Sequence, residues 1–419
     1  MVTNRKLTTA SYWSDSALTC VSTGIRVTHE VISAAAQAAA IRMPVKDREF
    51  IIRGVYFASS WQETRSMSML LPMLVVLLQA ATADCTQSTK RPLFECVTPL
   101  EFTLELPVKT LLRQAKNRPV LDGKLHYVDQ AGEQLVLDVQ VTTRGNSRLD
   151  MCSFPPLSLF LDKKQVKGTI FAGQKKLKIV TQCRTGSNYL DYLRQEYGIY
   201  KAYNVVADPS FRVRMLNITF RDSQKKKKDD VQVAFFIESP REVAARSGLE
   251  PVKLNRIPPH QLDEANSSIY ELFQFLIANT DWSKVKGPGD ADCCHNGKVL
   301  REPGSESGWF VLPYDFDQAG LINTPYAVPS EQLPISRVSQ RLFRGRCEYI
   351  DYLDDTIELF NRERQAIETA LASGDVSDRK RKRQSDFVAR FFEIINDPKK
   401  RKREIDDRCV GPRVTSSPR

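Results

Sequence analysis

Apolar and polar residues alternate through much of the chain between residues 100 and 240, and this pattern predicts β-strands. The segments 123–128 and 133–143 flank the turn-forming residues 129–132, so the pattern predicts a hairpin there. A second hairpin is predicted around the very basic tip 223–230. The further strands that the pattern predicts are 156–162, 175–181, 211–222 and 231–239.

Helical periodicity appears in three places. Residues 187–206 read as an amphipathic helix with Ser187 as its cap, residues 261–279 read as a second helix, and the amphipathic segment 386–398 is predicted to dock on the core. A long irregular loop is predicted at 280–308, and loops of this length are often functional. Strands followed by helices predict an α+β chain with two lobes, a strand-rich one at 84–255 and a helical one at 256–419.

The clearest targeting signal lies inside the chain. Arg65 is followed by an apolar run at 69–78 and by Ala81-Thr82-Ala83, which is the layout of a secretory signal peptide. We therefore expect a signal peptide at 67–83 and export to the periplasm or the extracellular space. Residues 1–66 are then a misannotated or disordered N-terminal extension, and the alternative is a genuine extension followed by an internal anchor.

Cysteine usage agrees with export, because eight of the nine cysteines follow Ala83. The two pairings favoured from the sequence are Cys85 with Cys96 and Cys347 with Cys409. The run Cys293-Cys294-His295 raises the question of zinc, but adjacent cysteines chelate one metal poorly and the chain has no C-x-x-C partner. Two separate disulfides that hold this loop are the favoured interpretation.

Composition is that of a globular protein, with 42% hydrophobic and 26% charged residues and a net charge of +11. A basic surface attracts phosphates, nucleic acid or anionic membranes, and charge alone does not choose among them. The basic runs 225–228, 379–383 and 399–403 are interpreted as solvated faces. A nuclear-localisation role conflicts with the signal peptide, so nucleic acid is not a predicted partner. An anionic envelope surface is the secondary partner prediction.

Acidic and amide side chains mark three places in the second half of the chain. Asp281 follows a predicted helix, Asn296 lies in the long loop, and Asp315 and Asp317 follow the apolar strand 309–314. Burying a carboxylate is costly unless a metal or a basic side chain compensates it. One carboxylate to orient an attacking hydroxyl, together with an amide and a carboxylate to hold Mg²⁺ against phosphates, is what phosphoryl transfer requires.

These stretches carry a resemblance. Residues 100–320 resemble the CotH-type family, the spore-coat-protein-H kinase-like proteins, in the order of "RGNSR", "FAGQKKLKI", "YLRQEYG", "FFIES", Asp281, Asn296 and "YDFD". The resemblance implies an atypical protein-kinase-like fold and, for some members, phosphorylation of proteins with ATP and a divalent metal. It implies a catalytic role for Asp281 and metal-ligand roles for Asn296 and Asp315, with Asp317 as a further ligand or a helix cap.

The same resemblance implies a phosphate-binding lysine in "KKLKI". Lys176 and Lys178 alternate onto one strand face, so the sequence does not separate them, and Lys178 is favoured. Glu196 on the following helix would pair with that lysine. Arg144 and the amides of Gly145 and Asn146 would cover the phosphates.

The chain departs from ordinary kinases in the spacing of these residues. Asn296 follows Asp281 by fifteen residues rather than five, and no G-x-G-x-x-G loop is present. The leading prediction is an exported enzyme that transfers the γ-phosphoryl group of ATP, with Mg²⁺ or Mn²⁺, to a protein or small-molecule acceptor. The alternatives are a catalytically silent kinase-like binding module and a disulfide-braced envelope protein stabilised by Ca²⁺. The sequence does not indicate the oligomeric state.

Overall fold

Seven strands between residues 100 and 237 close into a barrel in the computed structural model, which describes residues 92–412. The order around the barrel is β1-β2-β3-β4-β5-β7-β6. Its strands are β1 (Leu100–Leu106), β2 (Leu121–Val128), β3 (Gln134–Thr143), β4 (Leu157–Leu161), β5 (Lys176–Thr181), β6 (Val213–Asp222) and β7 (Asp230–Ile237). Both predicted hairpins, β2–β3 and β6–β7, are confirmed.

The barrel is closed by a parallel pairing between its first and sixth strands. Leu100 pairs with Leu216, and the register continues to Leu106 opposite Asp222, whereas the other six pairings are antiparallel. Because side chains alternate along each strand, one set points inward and forms an apolar core that includes Leu104, Leu125 and Val141.

The predicted two-lobed, kinase-like α+β fold with a strand-rich N-lobe and a helical C-lobe is wrong. The structure is a closed seven-stranded mixed barrel with helices packed beside it. The deciding contact is the parallel β1–β6 ladder, which joins residues more than a hundred positions apart. Periodicity identifies strands and their faces but carries no information about which distant strand completes the sheet.

A second, three-stranded antiparallel sheet lies in the second half of the chain. It has the order β10-β9-β8 and comprises β8 (Glu250–Pro251), β9 (Gly297–Arg301) and β10 (Phe310–Pro313). Strand β9 interrupts the segment predicted as one irregular loop, so that prediction is wrong between residues 297 and 301. The pairing of β9 with β10 sets Lys298 opposite Leu312 and Gly297 opposite Pro313.

Nine α-helices accompany the sheets in the described part of the chain. They are α1 (Val108–Arg113), α2 (Ser147–Met151), α3 (Ser187–Val206), α4 (Pro240–Ser247), α5 (Glu264–Leu276), α6 (Leu353–Arg362), α7 (Arg364–Ala372), α8 (Asp378–Asn396) and α9 (Pro398–Arg401). The predicted helix at 187–206 is confirmed, although its cap is Gly186 and not Ser187. Helix α5 is shorter than predicted and begins after Asp263, whose side chain accepts a hydrogen bond from the Asn266 N–H.

Helix α3 lies against the C-terminal helices in one large apolar core. Gly198 of α3 faces the backbone of Leu371 in α7 so closely that a β-carbon there would lie 2.5 Å from the Leu371 carbonyl oxygen. The predicted docking segment 386–398 is confirmed within α8, which buries Phe387, Phe391 and Ile395 in this core. The core therefore joins sequence regions nearly two hundred residues apart.

Local pairing neutralises much of the basic charge at the C-terminus. Lys382 pairs with Asp386, and Lys402 pairs with Asp407. Lys380 is buried, with its ammonium group 4.2 Å from the centre of the Tyr192 ring. Among residues 92–412, no helix is long and apolar enough to cross a membrane.

Three disulfides have both cysteines among the described residues. Cys152 is bonded to Cys183, and the predicted Cys347–Cys409 bridge is confirmed. Cys293 and Cys294 are bonded to each other, so the prediction of two separate bridges for them is wrong. Cys85 and the predicted signal peptide lie outside the described residues.

Candidate functional site

A cleft of about 490 Å³ is lined by residues of both sheets and by polar side chains of the loops between them. Its walls include the loop that precedes α2, helix α3, the segment that leads into β9 and the residues after β10. Of the eight side chains that were predicted to act in catalysis, cofactor binding or metal binding, six line this cleft: Arg144, Glu196, Asp281, Asn296, Asp315 and Asp317. The structure therefore brings together residues that are spread over more than 170 positions.

Arg148 lies at the centre of a charged cluster in the cleft. Its Nε atom donates to Asp317 Oδ2 at 2.8 Å, and its Nη2 atom lies 3.0 Å from Glu196 Oε2. The same Nη2 atom contacts Asp315 Oδ1 at 3.2 Å. One guanidinium thus joins α2, α3 and the end of β10 at a single point. Arg148 was not predicted as a site residue.

The cluster contains more negative than positive charge. Burial raises the pKa of Glu196 to about 7, although Arg148 opposes that shift. Burial also raises the pKa of Asp317, again against the influence of Arg148. For Arg148 itself, burial lowers the pKa, but Asp317, Glu196 and Asp315 together hold it well above its ordinary value. Arg148 is therefore always charged, and its carboxylate partners compete for it.

Asp281 is held by two neighbours on the segment before β9. His295 Nε2 lies 2.6 Å from Asp281 Oδ1, and Asn296 Nδ2 donates at 2.8 Å to both Asp281 Oδ2 and the Asp281 carbonyl oxygen. The hydrogen bond to Asp281 raises the pKa of His295. The Asp281 side chain remains 43% exposed. A fixed, exposed carboxylate of this kind can orient an incoming hydroxyl group.

Asp315 is fixed by its backbone as well as by Arg148. Its φ angle is 63°, a left-handed conformation that Asp and Asn tolerate better than other non-glycine residues. Its N–H donates to the hydroxyl of Tyr200 at 2.8 Å, which ties the end of β10 to α3. The side chain is 40% exposed, and Asp315 is therefore the most accessible carboxylate around Arg148.

Two lysines flank the ring of Tyr314 next to these carboxylates. Lys178 Nζ lies 5.1 Å from the ring centre and Lys298 Nζ lies 5.2 Å from it. Within the described part of the chain, neither lysine forms an ion pair. Burial, together with the nearby Arg144 and Lys298, lowers the pKa of Lys178 to about 7. Burial also lowers the pKa of Lys298.

Lys298 connects the cleft to a second, more apolar cavity of about 580 Å³. Lys176 and Lys178 line this second cavity. They extend from β5 on the same side, as predicted, but Lys176 is exposed and its ammonium group lies 5.0 Å from the Phe160 ring. Lys178 is the lysine that reaches towards Tyr314 and the carboxylates.

The loop between β3 and α2 forms one wall of the cleft. Arg118 donates through Nη2 to the Gly145 carbonyl oxygen at 2.7 Å and lies 3.2 Å from Asn146 Oδ1. Gly145 has a φ angle of 98°, which a side chain would strain. This backbone shape, held by Arg118, places Arg144 in the cleft close enough to Lys178 to influence its pKa.

One predicted contact does not form. Glu196 pairs with Arg148, and the predicted ion pair between Glu196 and Lys178 is absent from the described residues. The reason is geometric, because Lys178 lies beside Tyr314 while Arg148 occupies the side of α3 that Glu196 faces. Lys298 and His295 were not predicted as site residues. His295 was adjacent to a predicted ligand, but Lys298 carried no signal beyond an ordinary strand.

The residues of the cleft suit a Mg²⁺ or Mn²⁺ ion that is also held by phosphate oxygens better than an ion that is held by protein ligands alone. Asp315 and the side-chain oxygen of Asn296 are hard donors in one cleft, and Mg²⁺ commonly takes one or two carboxylates together with phosphate oxygens and water. Between residues 92 and 412, no group of three or more His, Cys, Asp or Glu side chains is arranged to hold a metal ion. Asp317 is buried against Arg148, which occupies one of its oxygens.

Comparison with models of known protein families found no match to this chain, and comparison with characterised proteins found none either. The chemistry of the cleft therefore rests on its own geometry.

Proposed function

We propose that the cleft binds a nucleoside triphosphate with a divalent cation, and that the protein transfers the terminal phosphoryl group to an acceptor hydroxyl. ATP is the expected nucleotide, and the acceptor is a protein or a small molecule. The proposal extends the resemblance to CotH-type kinase-like proteins in chemistry, but not in fold.

The observation that carries the proposal is the separation of charge in the cleft. Lys298 lines the cleft, Lys178 lines the adjoining cavity, and neither forms an ion pair among the described residues. Arg144 lies in the cleft and is close enough to Lys178 to influence its pKa. Asp315 and Asp281 are accessible carboxylates in the same cleft. Lysines without an ion pair hold their protons more firmly when an anion approaches and then attract its phosphate oxygens, and accessible carboxylates serve a metal or a hydroxyl. A phosphate ligand with a bound divalent cation would bind the basic side chains through its oxygens and the carboxylates through its cation.

The side chains would divide the work of such a reaction. Lys178, Lys298 and Arg144 would bind phosphate oxygens, and Asp315 with Asn296 would hold the cation, which supplies positive charge near the transferred group. Asp281 would orient the acceptor hydroxyl and receive its proton. The hydroxyl oxygen then bonds to the terminal phosphorus, the bond from that phosphorus to the bridging oxygen breaks, and the nucleoside diphosphate leaves with the electron pair.

Two substitutions separate these roles. Asp315→Asn keeps the size and the left-handed backbone of the residue but removes its charge, so we expect metal-dependent ATP binding to be lost while the fold is retained. Asp281→Asn should leave ATP binding nearly intact and lower phosphoryl transfer by roughly 10²-fold or more, since orienting and proton-accepting groups contribute that much.

The measurements are equilibrium binding of ATP with Mg²⁺ or Mn²⁺ and transfer of labelled phosphate to the protein itself or to an acceptor mixture. Asp290→Asn is the matched control, since Asp290 is exposed in the loop between Asp281 and Asn296. Unchanged Mg²⁺-ATP affinity in Asp315→Asn, together with a large loss of thermal stability, would make Asp315 a structural residue and overturn the proposal. Binding without any transfer in the unaltered protein would point to a silent binding module.

A further inference from the structure

The carboxylates that contact Arg148 in the cleft outnumber it. Three carboxylates, those of Glu196, Asp315 and Asp317, surround Arg148, and in the described part of the chain none of the three pairs with another cation. When all three are ionised, the cluster carries a net charge of −2. A second cation is therefore electrostatically favoured at whichever carboxylate it can reach.

Only Asp315 is within easy reach of solvent. Its side chain is 40% exposed, whereas the side chains of Glu196 and Asp317 are 4% and 8% exposed. A cation that enters from the cleft therefore meets Asp315 first. Glu196 and Asp317 are buried in contact with Arg148.

The number of N–H groups that Arg148 can donate also distinguishes its contact with Asp315 from its other contacts. Its Nη2 atom carries two hydrogens but has three acceptors, two oxygens of Glu196 at 3.0 and 3.2 Å and one oxygen of Asp315 at 3.2 Å. Asp317 has the Nε hydrogen to itself. If Asp315 leaves, Nη2 keeps both contacts to Glu196, and Arg148 remains paired. The Asp315 contact is thus the one that Arg148 can give up.

We propose that Arg148 and a divalent cation bind Asp315 in alternation, so that Arg148 is the internal counter-cation of the metal-free protein. This inference rests on the proposed function, which assigns the cation to Asp315. When the cation takes Asp315, Arg148 stays with Glu196 and Asp317. Because Arg148 belongs to α2, which directly follows the loop of Arg144 and Gly145, cation binding is coupled to that wall of the cleft.

The test uses Mn²⁺ alone, without nucleotide, on the full chain. Free Mn²⁺ is measured by electron paramagnetic resonance during titration. Arg148→Met removes the competitor, so we expect Mn²⁺ to bind about tenfold more tightly, which corresponds to about 1.4 kcal/mol. Arg144→Met removes the same charge from the same cleft without touching a carboxylate, and its Mn²⁺ affinity should change much less.

Three results would overturn the inference. They are weaker or unchanged Mn²⁺ binding in Arg148→Met, equal tightening in both variants, and no Mn²⁺ binding by either variant or by the unaltered protein. The last result leaves nucleotide binding at the lysines to be judged by its own assay, so the two proposals fail separately.

A second measurement needs no substitution and decides the matter if Arg148→Met does not fold. Hydrogen exchange in the unaltered protein is followed with and without Mn²⁺. Release of Arg148 from Asp315 should increase exchange in peptides that cover residues 147–151, while a distant helix such as α8 stays unchanged. Unchanged or slower exchange in 147–151 at saturating Mn²⁺ would show that the two cations do not compete.

Discussion

The Nε atom of Arg148 lies 2.8 Å from Oδ2 of Asp317, and this contact joins two residues that are 169 positions apart. Both side chains are buried. The pair ties the short helix that follows the barrel strand β3 to the segment that leaves the second sheet. The geometry of the cleft therefore depends on one arginine that ends the stretch "RGNSR" but to which the sequence assigned no role.

Removal of this arginine should destabilise the fold strongly. Arg148→Met leaves Glu196 and Asp317 buried without a counter-charge, and breaking a buried ion pair in this way typically costs about 3–5 kcal/mol. Urea denaturation of the oxidised protein measures the loss. Arg212→Met is the matched control, since its buried partner Glu238 retains Arg246 and the loss should be smaller. Equal losses in the two variants would contradict the central role given to Arg148.

Stability should fall as the pH rises from about 4.5 to 7. The pKa of Glu196 is raised from 4.5 to about 7 by burial, so in this interval the folded protein binds a proton that the unfolded chain does not. The stabilisation is fully present below pH 4.5 and is lost as the pH passes the folded pKa. Its size is on the order of 1–3 kcal/mol, since each pKa unit corresponds to about 1.4 kcal/mol.

Glu196→Gln should shrink this pH slope and cost little stability at pH 7.5. Thermal unfolding across the pH range makes the comparison. Glu238→Gln is the control, because Glu238 is a single buried carboxylate with two arginine partners, Arg212 and Arg246. That variant should lose stability at neutral pH. A Glu196→Gln variant with the full wild-type slope would show that another group takes up the proton.

Lys178 should be unusually reactive at neutral pH. Burial lowers its pKa to about 7, so a large fraction of its amine is uncharged and nucleophilic at pH 7.5. A small acylating reagent, with labelled peptides quantified by mass spectrometry, should modify Lys178 faster than the exposed Lys176. Tripolyphosphate should protect Lys178 if phosphate binds there. Faster labelling of Lys176, or no protection of Lys178, would contradict this expectation.

The Cys347–Cys409 bridge should matter more for stability than the Cys293–Cys294 bond. The first joins residues 62 positions apart. In the chain-entropy account, removal of a disulfide that closes a loop of this size costs about 4 kcal/mol of stability. The second joins adjacent residues and closes almost no chain. Denaturation of the two double alanine variants compares them. A larger loss for Cys293 and Cys294 would mean that their bond acts through the folded loop.

The sequence by itself determined most of the local structure. Alternation identified both barrel hairpins, because a strand with one buried face must show period two. The 3.6-residue period identified α3 and the buried segment of α8 for the same kind of reason. The sequence also placed Asp281, Asn296 and Asp315 in one candidate site, and they do line one cleft.

Only the tertiary structure decided which strands pair to close the barrel and which charged side chains form ion pairs. The barrel depends on the parallel pairing of β1 with β6, and the pattern of each strand is compatible with many partners. The partner of Glu196 is Arg148 and not a lysine of β5, because pairing of buried charges follows distance in space, which the spacing of residues along the chain does not contain. Lys298 joins Lys178 for the same reason: each lies on an ordinary strand, and only the packing of the two sheets brings both ammonium groups to Tyr314.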